Sequence, residues 1–584
     1  MKDRCRSGAH AVCEGLRREG VRTLFGHPGG AILPLYDVLH QDPELRHVLV
    51  RHEQAAAHAA DGYARATGKV GVCLATSGPG ALNLITGLAT AAMDSVPVVA
   101  ITGQVPTHVM GTDAFQESDI LGMTIPITKH GFLVSSAEEV PEVMAEAFRV
   151  ARTGRPGPVL VDLPKDVQTG RSLSNPHPVS IPGGATPCDL PPQVEEAVAS
   201  VARLLNEAER PVLMVGRGVV LSDTAAVLRE LAERHRLPVV TTLLGLDAFP
   251  RSHSLSLGMP GMHGSARANR AIQEADVIVG LGLRFDDRVT GPVSSFAPSA
   301  RIALFEVDPA AVGRTIQPHV SVLGDLATTL PALTPQLRAR VPETWWRRLE
   351  GWSRDAAPRA TEGEAPPPWS PPGSTRLPTG REATRALAGI IDETGAQVAT
   401  DVGQHQMWIA QELEEGAPGS HLTSGGLGTM GFALPAALGA ALGRPDRSTW
   451  VVAGDGGFQM TLQELATVVE MEVPLRIAVV NNGYLGMVRQ WQELFFEGRY
   501  SASRLVGPDL AALGRAYGIP SHTVTRAEEL AGALRWAHAA PGPALLDIRV
   551  APEENVYPMV PPGASIGDLV ESPAGGQPVP AGGP

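Results

Sequence analysis

Residues 448–487 read STWVVAGDGGFQMTLQELATVVEMEVPLRIAVVNNGYLGM. An apolar strand ends at Ala453 and opens into Gly454-Asp455-Gly456-Gly457. A helical pattern follows over about 462–471, and a second apolar strand runs to Val480 and ends in Asn481-Asn482. Strand, helix and strand in this length make a βαβ unit, whose parallel strands finish at the same sheet edge. Asp455 and Asn482 are therefore expected side by side. One anionic and one neutral oxygen ligand suit Mg²⁺, a hard ion that keeps phosphate and water in its other positions. The glycines let backbone N–H groups approach a diphosphate, and a helix N-terminus adds positive potential. The Gly-Asp-Gly triplet alone would fit an ordinary turn. The paired asparagines at the next strand's end tip the reading towards a metal-diphosphate site.

The same alternation extends outward in both directions. Apolar strand patterns occur at 70–75, 96–102 and 158–161, at 211–215, 237–241, 277–281 and 302–307, and at 398–400, 450–453, 475–480 and 544–550. Helical patterns such as 193–207 and 223–235 lie between them. Two connectors rich in proline and glycine, 172–192 and 355–380, separate three blocks. The expected domains are 1–171, 193–350 and 375–571, with 572–584 (SPAGGQPVPAGGP after Glu571) a disordered tail. Each block predicts a doubly wound α/β domain on a parallel sheet, with ligands beyond the carboxyl ends of the strands. No short-period repeat is visible.

Composition narrows the function. The chain has 584 residues and a net charge of −13, which disfavours a nucleic-acid partner. Its four cysteines, Cys5, Cys13, Cys73 and Cys188, have neither metal-ligand nor disulfide-framework spacing. No apolar run is long enough to span a membrane, and the charged N-terminus lacks the core of a signal peptide. A reduced, cytoplasmic setting is the simplest expectation. Lysine occurs only at positions 2, 69, 129 and 165.

Further loops stand out: Asp401-Val-Gly403-Gln404-His405 follows a strand pattern, Ser424-Gly-Gly-Leu-Gly428-Thr-Met430 precedes a helical one, Ala75-Thr-Ser-Gly-Pro79-Gly-Ala-Leu-Asn83 follows the first-block strand pattern, and Gly26-His27-Pro28-Gly29-Gly30 is a second turn in that block. The Asp401 and Ser424 loops would each serve as a capping turn or as a set of donors to a phosphate. Glu53 heads the alanine-rich helix of RHEQAAAHAADGYAR. Taken alone, it reads as a solvated carboxylate at a helix N-terminus.

The motifs FGHPGGAILPLYD, ATSGPGALN, GTDAFQE, GRPGPVLVDLPKD, LGMPGMHG, GLRFDDRVTG, VGQHQMW, GLGTMGFALPAA, GDGGFQMTLQEL, NNGYLGMVRQWQELFF and VYPMVPPGAS occur in this order along all three blocks. From about Gly8 to Val570 the chain resembles the thiamine-diphosphate-dependent enzymes, and among them the catalytic subunits of acetohydroxyacid (acetolactate) synthase. The resemblance implies that Asp455, Asn482 and the backbone carbonyl of Tyr484 hold Mg²⁺ on the diphosphate. It adds His27, Pro28, Gly29, Pro79, Asn83, Gly403, Gln404, His405, Gly428, Gly454, Gly456, Gly457, Gly486 and Met487 to the cofactor's surroundings. His27 departs from the tyrosine of familiar relatives. Glu53 would hydrogen-bond the pyrimidine nitrogen and so help form the nucleophilic ylid. Met430 would wedge the cofactor into its bent form. Gln116 would reach the site from a neighbouring subunit, Trp491 would line the acceptor pocket with a graded preference for 2-ketobutyrate, and Lys165 would stand at the channel mouth.

The implied reaction decarboxylates pyruvate and transfers the two-carbon unit to a second 2-keto acid. The product is 2-acetolactate or 2-aceto-2-hydroxybutyrate, on the route to valine, leucine and isoleucine. Arg155, His263, Gly264, Gly282, Arg284, Glu306, Asp308 and Asp325 match residues around a structural FAD in the biosynthetic synthases. Without the match they read as turn glycines and surface ion pairs. The resemblance implies a homodimer or homotetramer and leaves room for a small regulatory subunit. Other readings are a flavin-dependent oxidoreductase of pyruvate-oxidase type, a paralogous carboligase in a specialised pathway and a catalytically dead homologue. RFDDRVTG and RQWQELFF oppose the oxidase, and intact Glu53, Asp455 and Asn482 oppose the last. Glyoxylate carboligase lacks the glutamate found here at Glu53.

Overall fold

The computed structural model describes residues 6–172, 190–355 and 376–571. The tail 572–584 and most of both connectors lie outside these residues. Among the described residues three six-stranded sheets, every neighbouring pair parallel, carry the fold, beside a short antiparallel pair of Arg6–Ser7 with Arg171–Ser172. Across the first sheet the strands run Arg46–Leu49, Thr23–Gly26, Gly71–Ala75, Val98–Gln104, Val159–Pro164 and His130–Leu133. The third runs His421–Thr423, Gln397–Thr400, Thr449–Gly454, Leu475–Asn481, Ala544–Arg549 and Ser521–Val524. Numbered within its own domain, each has the order 2-1-3-4-6-5. The two domains thus share a topology that leaves no repeat in the sequence. Their switch points lie between strands 1 and 3, where His27 and Thr76 follow in the first sheet and Asp401 and Asp455 in the third.

The middle sheet differs. Its strands run Ser256–Gly258, Val239–Thr241, Pro211–Val215, Val277–Leu281, Arg301–Glu306 and Val320–Leu323, the order 3-2-1-4-5-6 within the domain. This is the strand order of dinucleotide-binding sheets, and its switch point lies between the strands ending at Val215 and Leu281.

Alternation along the strands explains the layering. Phe25, Cys73, Ala75 and Val98 point into one core, and Leu24, Val72, Leu74 and Val99 into another. The first of these cores is continuous with Ala399, Val451, Ala453 and Ile477 of the third sheet. The remaining face of the third sheet and the middle domain have their own cores. The shared core is sealed by the helices Glu53–Thr67 and Ala433–Gly443. Small residues let their backbones touch. A Cβ added at Gly62 would stand 2.0 Å from the Ala436 carbonyl oxygen, and one at Gly439 would stand 1.8 Å from that of Ala59.

One expectation is corrected. The helix after the Gly-Asp-Gly-Gly turn begins at Asp455 itself, not near 462. It runs Asp455–Thr461, passes through a 3-10 turn at Leu462–Glu464 and continues as Leu465–Glu470. The break falls at Thr461 (φ −136°), whose hydroxyl donates to the Gly431 carbonyl at 3.0 Å. The helices flanking the second connector end at Asp355 and begin at Gly380, the limits expected for it. Cys13 and Cys73 are buried free thiols, while Cys5 and Cys188 fall outside the described residues.

Candidate active site

The carboxyl edge of the third sheet builds one end of a cleft. The strand Thr449–Gly454 delivers Asp455, and its neighbour Leu475–Asn481, paired in register from Thr449↔Leu475 to Gly454↔Val480, delivers Asn482. Asp455 is buried, 5% exposed, and burial raises its carboxyl to about 6. Asn482 accepts from the Tyr484 N–H at 3.0 Å and donates to Gln404 Oε1 at 3.3 Å. Gln404 donates onward to Gln490 Oε1 and to the Glu554 carbonyl, each at 3.0 Å. The amide placed to meet a cation is thereby fixed by a chain of side-chain bonds.

His405 stands over this edge. Burial lowers its imidazole to about 4, so the ring is neutral at physiological pH, and its Nε2 is buried without a partner. A Cβ at Gly454 would lie 3.1 Å from His405 Nδ1, so the strand end packs closely against the ring. Asp401 holds the adjoining loop. It accepts from the N–H groups of Gly431 at 3.0 Å, Ala433 at 3.2 Å and Val402 at 2.8 Å, which sets the turn carrying Met430.

The cleft has a volume of about 610 Å³ and is lined by Gly403, Gln404, His405, Gly428, Met430, Gly454, Asp455, Gly456, Gly457, Asn482, Tyr484, Gly486, Met487 and Trp491. Every residue expected at the diphosphate end is therefore in one place. Trp491 meets Phe495 edge-on, with ring centroids 5.3 Å apart. The same cleft continues to the switch point of the middle sheet and takes in Arg155, His263, Gly282, Arg284, Glu306 and Asp325. Gly264 and Asp308 are not part of its lining: Gly264 serves the tight turn at 259–264, and Asp308 caps Ala310 N–H at 2.9 Å. Asp325 also caps a helix, accepting from Ala327 N–H at 2.9 Å.

The pyrimidine-end residues form a separate group on the first sheet. Glu53 opens its helix and is 8% exposed, with Oε2 accepting from Asn83 Nδ2 at 2.9 Å. A Cβ on Gly80 would lie 3.1 Å from its other oxygen. The solvated-carboxylate reading of Glu53 is thus excluded. His27 Nδ1 lies 3.0 Å from the Val50 carbonyl, Gly29 packs on Thr76, and Pro28 and Pro79 are exposed. Gln116 adopts φ +60° with its backbone against Gly78, beside the same loop. Lys165 is exposed at the start of the helix Lys165–Thr169. Within one chain none of these residues lines the cleft.

Glu464 escapes sequence reasoning. It is fully buried, belongs to the third domain and accepts from the backbone N–H groups of Arg51 (2.9 Å) and His52 (3.1 Å), just before Glu53. Asp401 sits in a quoted loop without an assigned role. In both cases a carboxylate satisfies distant backbone donors, which leaves no local pattern in the sequence.

The residues fit a magnesium-bound diphosphate: a buried carboxylate, an oriented amide, glycine-lined backbone and an unpartnered imidazole converge. Among the described residues no group of three or more His, Cys, Asp and Glu side chains could hold a metal by itself. The expected clamp contains only one such side chain, Asp455, and relies on phosphate for the rest. The middle switch point fits a dinucleotide. A Cβ on Gly218 would be 2.5 Å from the Cα of Gly282, which has φ +58°, and Arg217 Nε is buried without a partner. Arg155 and Arg284 repel each other there, and burial with this repulsion lowers the Arg155 guanidinium. Such a pair suits a pyrophosphate.

Comparison with known proteins agrees with this geometry. Residues 6–123 match the thiamine pyrophosphate enzyme N-terminal TPP binding domain, 198–333 the central domain and 401–548 the C-terminal TPP binding domain. The acetolactate synthase large subunit of Parasynechococcus marenigrum is 47% identical over 581 residues, 97% of this chain and 91% of that protein. The acetolactate synthase isozyme 2 large subunit of Escherichia coli is 46% identical over 569 residues, with 97% and 99% covered. The probable acetolactate synthase large subunit of Methanocaldococcus jannaschii is 44% identical over 578 residues, with 97% and 95% covered. With buried Glu53 on one sheet edge and the Asp455–Asn482 cradle on its topological twin, the chain belongs to the thiamine pyrophosphate enzymes and, among them, to the acetolactate synthase large subunits.

Proposed function

We propose that the chain, as an acetolactate synthase, decarboxylates pyruvate and joins its two-carbon unit to pyruvate or 2-ketobutyrate, giving 2-acetolactate or 2-aceto-2-hydroxybutyrate for branched-chain amino acids. The observation that carries this reading is the cradle of Asp455, Asn482 and His405 at the third sheet's switch point. Thiamine diphosphate supplies the carbanion chemistry when bound. The protein binds, orients and moves protons. Asp455, Asn482 and the Tyr484 carbonyl hold Mg²⁺, while the glycines of 454–457 and 403–405 receive the diphosphate. Met430, which lines the same cleft, would support the cofactor's bent form. Glu53 holds a proton at the pyrimidine ring nitrogen, its burial keeping water from weakening that bond. Trp491 shapes the acceptor pocket, and one methylene of discrimination is worth about 1–3 kcal/mol, so the choice of acceptor is graded.

FAD belongs to the same reading, held structurally by Arg155, His263, Gly282, Arg284, Glu306 and Asp325. Because the pyrimidine-end residues do not line the cleft of their own chain, a second copy supplies Glu53, Gln116 and Lys165, and a homodimer is the smallest active unit. Domain limits of 1–171, 193–350 and 375–571, a cytoplasmic setting and a small regulatory subunit complete the proposal. The words "large subunit" in the relatives' names favour such a partner. No described helix is long and apolar enough to cross a membrane.

Purified protein given thiamine diphosphate, Mg²⁺ and FAD, with pyruvate plus 2-ketobutyrate, should yield both acetohydroxy acids without oxygen uptake. Acetate with oxygen consumption would replace this reading by the oxidase.

A further inference from the structure

Asp94 and Ser95 stand where the two ends of the cleft meet, and both line it. Neither has a place in the scheme above. Asp94 follows the helix Ile85–Met93 and is 2% exposed. One of its oxygens accepts from Gly426 N–H at 2.7 Å. The other accepts from Gly425 N–H at 3.2 Å and from Arg65 Nη2 at 2.9 Å. Arg65 pairs with Asp61 at 2.5 Å and donates through Nη1 to the Thr423 carbonyl at 3.0 Å. Thr90, on the helix that leads to Asp94, shares a hydrogen bond with Thr429 at 2.7 Å. The first domain therefore grips the glycine loop at its beginning, middle and end, directly before Met430.

The next residue faces the other way. Ser95 is held at φ +58°, a conformation uncommon outside glycine, and its hydroxyl accepts from Arg155 Nε at 2.8 Å. Arg284 closes the circuit, its Nη2 lying 2.9 Å from where a Cβ on Gly426 would stand. Adjacent side chains on one strained turn thus hold the loop of Met430 and the arginine at the dinucleotide end.

We infer that Asp94 and Ser95 are positioning residues that couple occupancy of the middle-domain dinucleotide site to the setting of the Met430 loop, and so to the grip on thiamine diphosphate. The inference rests on the function proposed above. A pyrophosphate on Arg155 fixes that side chain, Ser95 passes the constraint to the backbone of the turn, and Asp94 passes it to Gly425 and Gly426. Linkage makes the effect mutual, and couplings of this kind are on the order of tenfold.

The test uses the full-length protein stripped of both cofactors. Thiamine diphosphate with Mg²⁺ is titrated by tryptophan fluorescence with and without saturating FAD, and FAD is titrated by its own fluorescence with and without thiamine diphosphate. In wild type each ligand should tighten the other about tenfold. Ser95→Ala leaves the loop's own hydrogen bonds in place. It should bind thiamine diphosphate alone as wild type does, yet bring the mutual factor close to one. Asp94→Asn, of equal size, should also lower that factor while remaining folded by circular dichroism. The same factor in wild type and Ser95→Ala, or no mutual effect in wild type, overturns the coupling while leaving the function intact. A wild-type chain that binds neither cofactor overturns the functional reading, and the coupling with it.

Discussion

Glu53 lies buried with Asn83 as its hydrogen-bond donor. Glu53→Gln keeps the volume but cannot exchange a proton with a ring nitrogen. Turnover should fall by about 10²–10⁴, the usual worth of positioned acid–base catalysis, with thiamine diphosphate affinity within a few-fold. Steady-state rates beside a cofactor titration check this, and near-normal turnover would remove Glu53 from the chemistry. Asp455→Ala deletes the only anionic side chain proposed for the clamp, so Mg²⁺ should no longer strengthen cofactor binding. A titration with the wild-type magnesium dependence would contradict that. Asp455 and its neighbour Asn482 are legible in the sequence because backbone constraint and chemistry coincide there, in a Gly-Asp-Gly turn and in an Asn at a strand end, whereas Glu53 reads alone as a solvated carboxylate and is singled out only by the family resemblance. Asp401, Glu464 and Asp94 are not legible, since each serves N–H groups that the fold brings from elsewhere.

At the level of helices and strands, most central strands are legible as apolar runs, because both of their faces are covered; Thr23–Gly26, central in the first sheet and buried throughout, is not, since its four residues between a threonine and a glycine make no such run. The edge strands Arg46–Leu49, His130–Leu133 and Ser521–Val524 are mostly exposed or half-buried and carry no such run. The crossing of the helices Glu53–Thr67 and Ala433–Gly443 is equally hidden, since small residues mark it only when both helices are seen together. Gly439→Ala should cost at least the roughly 1–3 kcal/mol of an overpacked core, because the new methyl meets backbone that has no room to yield. A thermal midpoint equal to wild type would show that the helices can part. Glu464 ties the third domain to the turn before Glu53, and burial raises its carboxyl from 4.5 to about 7. A raised carboxyl favours the folded state fully below about pH 4.5 and loses that contribution as pH rises through about 7. Relative to Glu464→Gln, wild type should therefore lose roughly 2–3 kcal/mol of stability between pH 5 and 8. Melting curves of both proteins across that range read the difference, and a constant offset would refute it.

For the whole molecule, the separation of Glu53 from its own chain's cleft predicts complementation between copies. Glu53→Gln and Asp455→Ala chains are each impaired alone. In the proposed homodimer, co-expression should give mixed dimers in which one of two sites has both native residues and the other has neither. Each mixed dimer should then show about half the wild-type activity, as two-fold symmetry requires. No recovery in a verified mixed dimer would place the whole site within one chain. The near-contact of backbones at Gly62 and Gly439 bears on how such an assembly breathes. A hinge needs slack, and this joint has none. Backbones this close leave the two thiamine-family domains of one polypeptide little freedom to part, so in the proposed dimer the opening that admits the coenzyme is expected in the seam between polypeptides or in the loops above it.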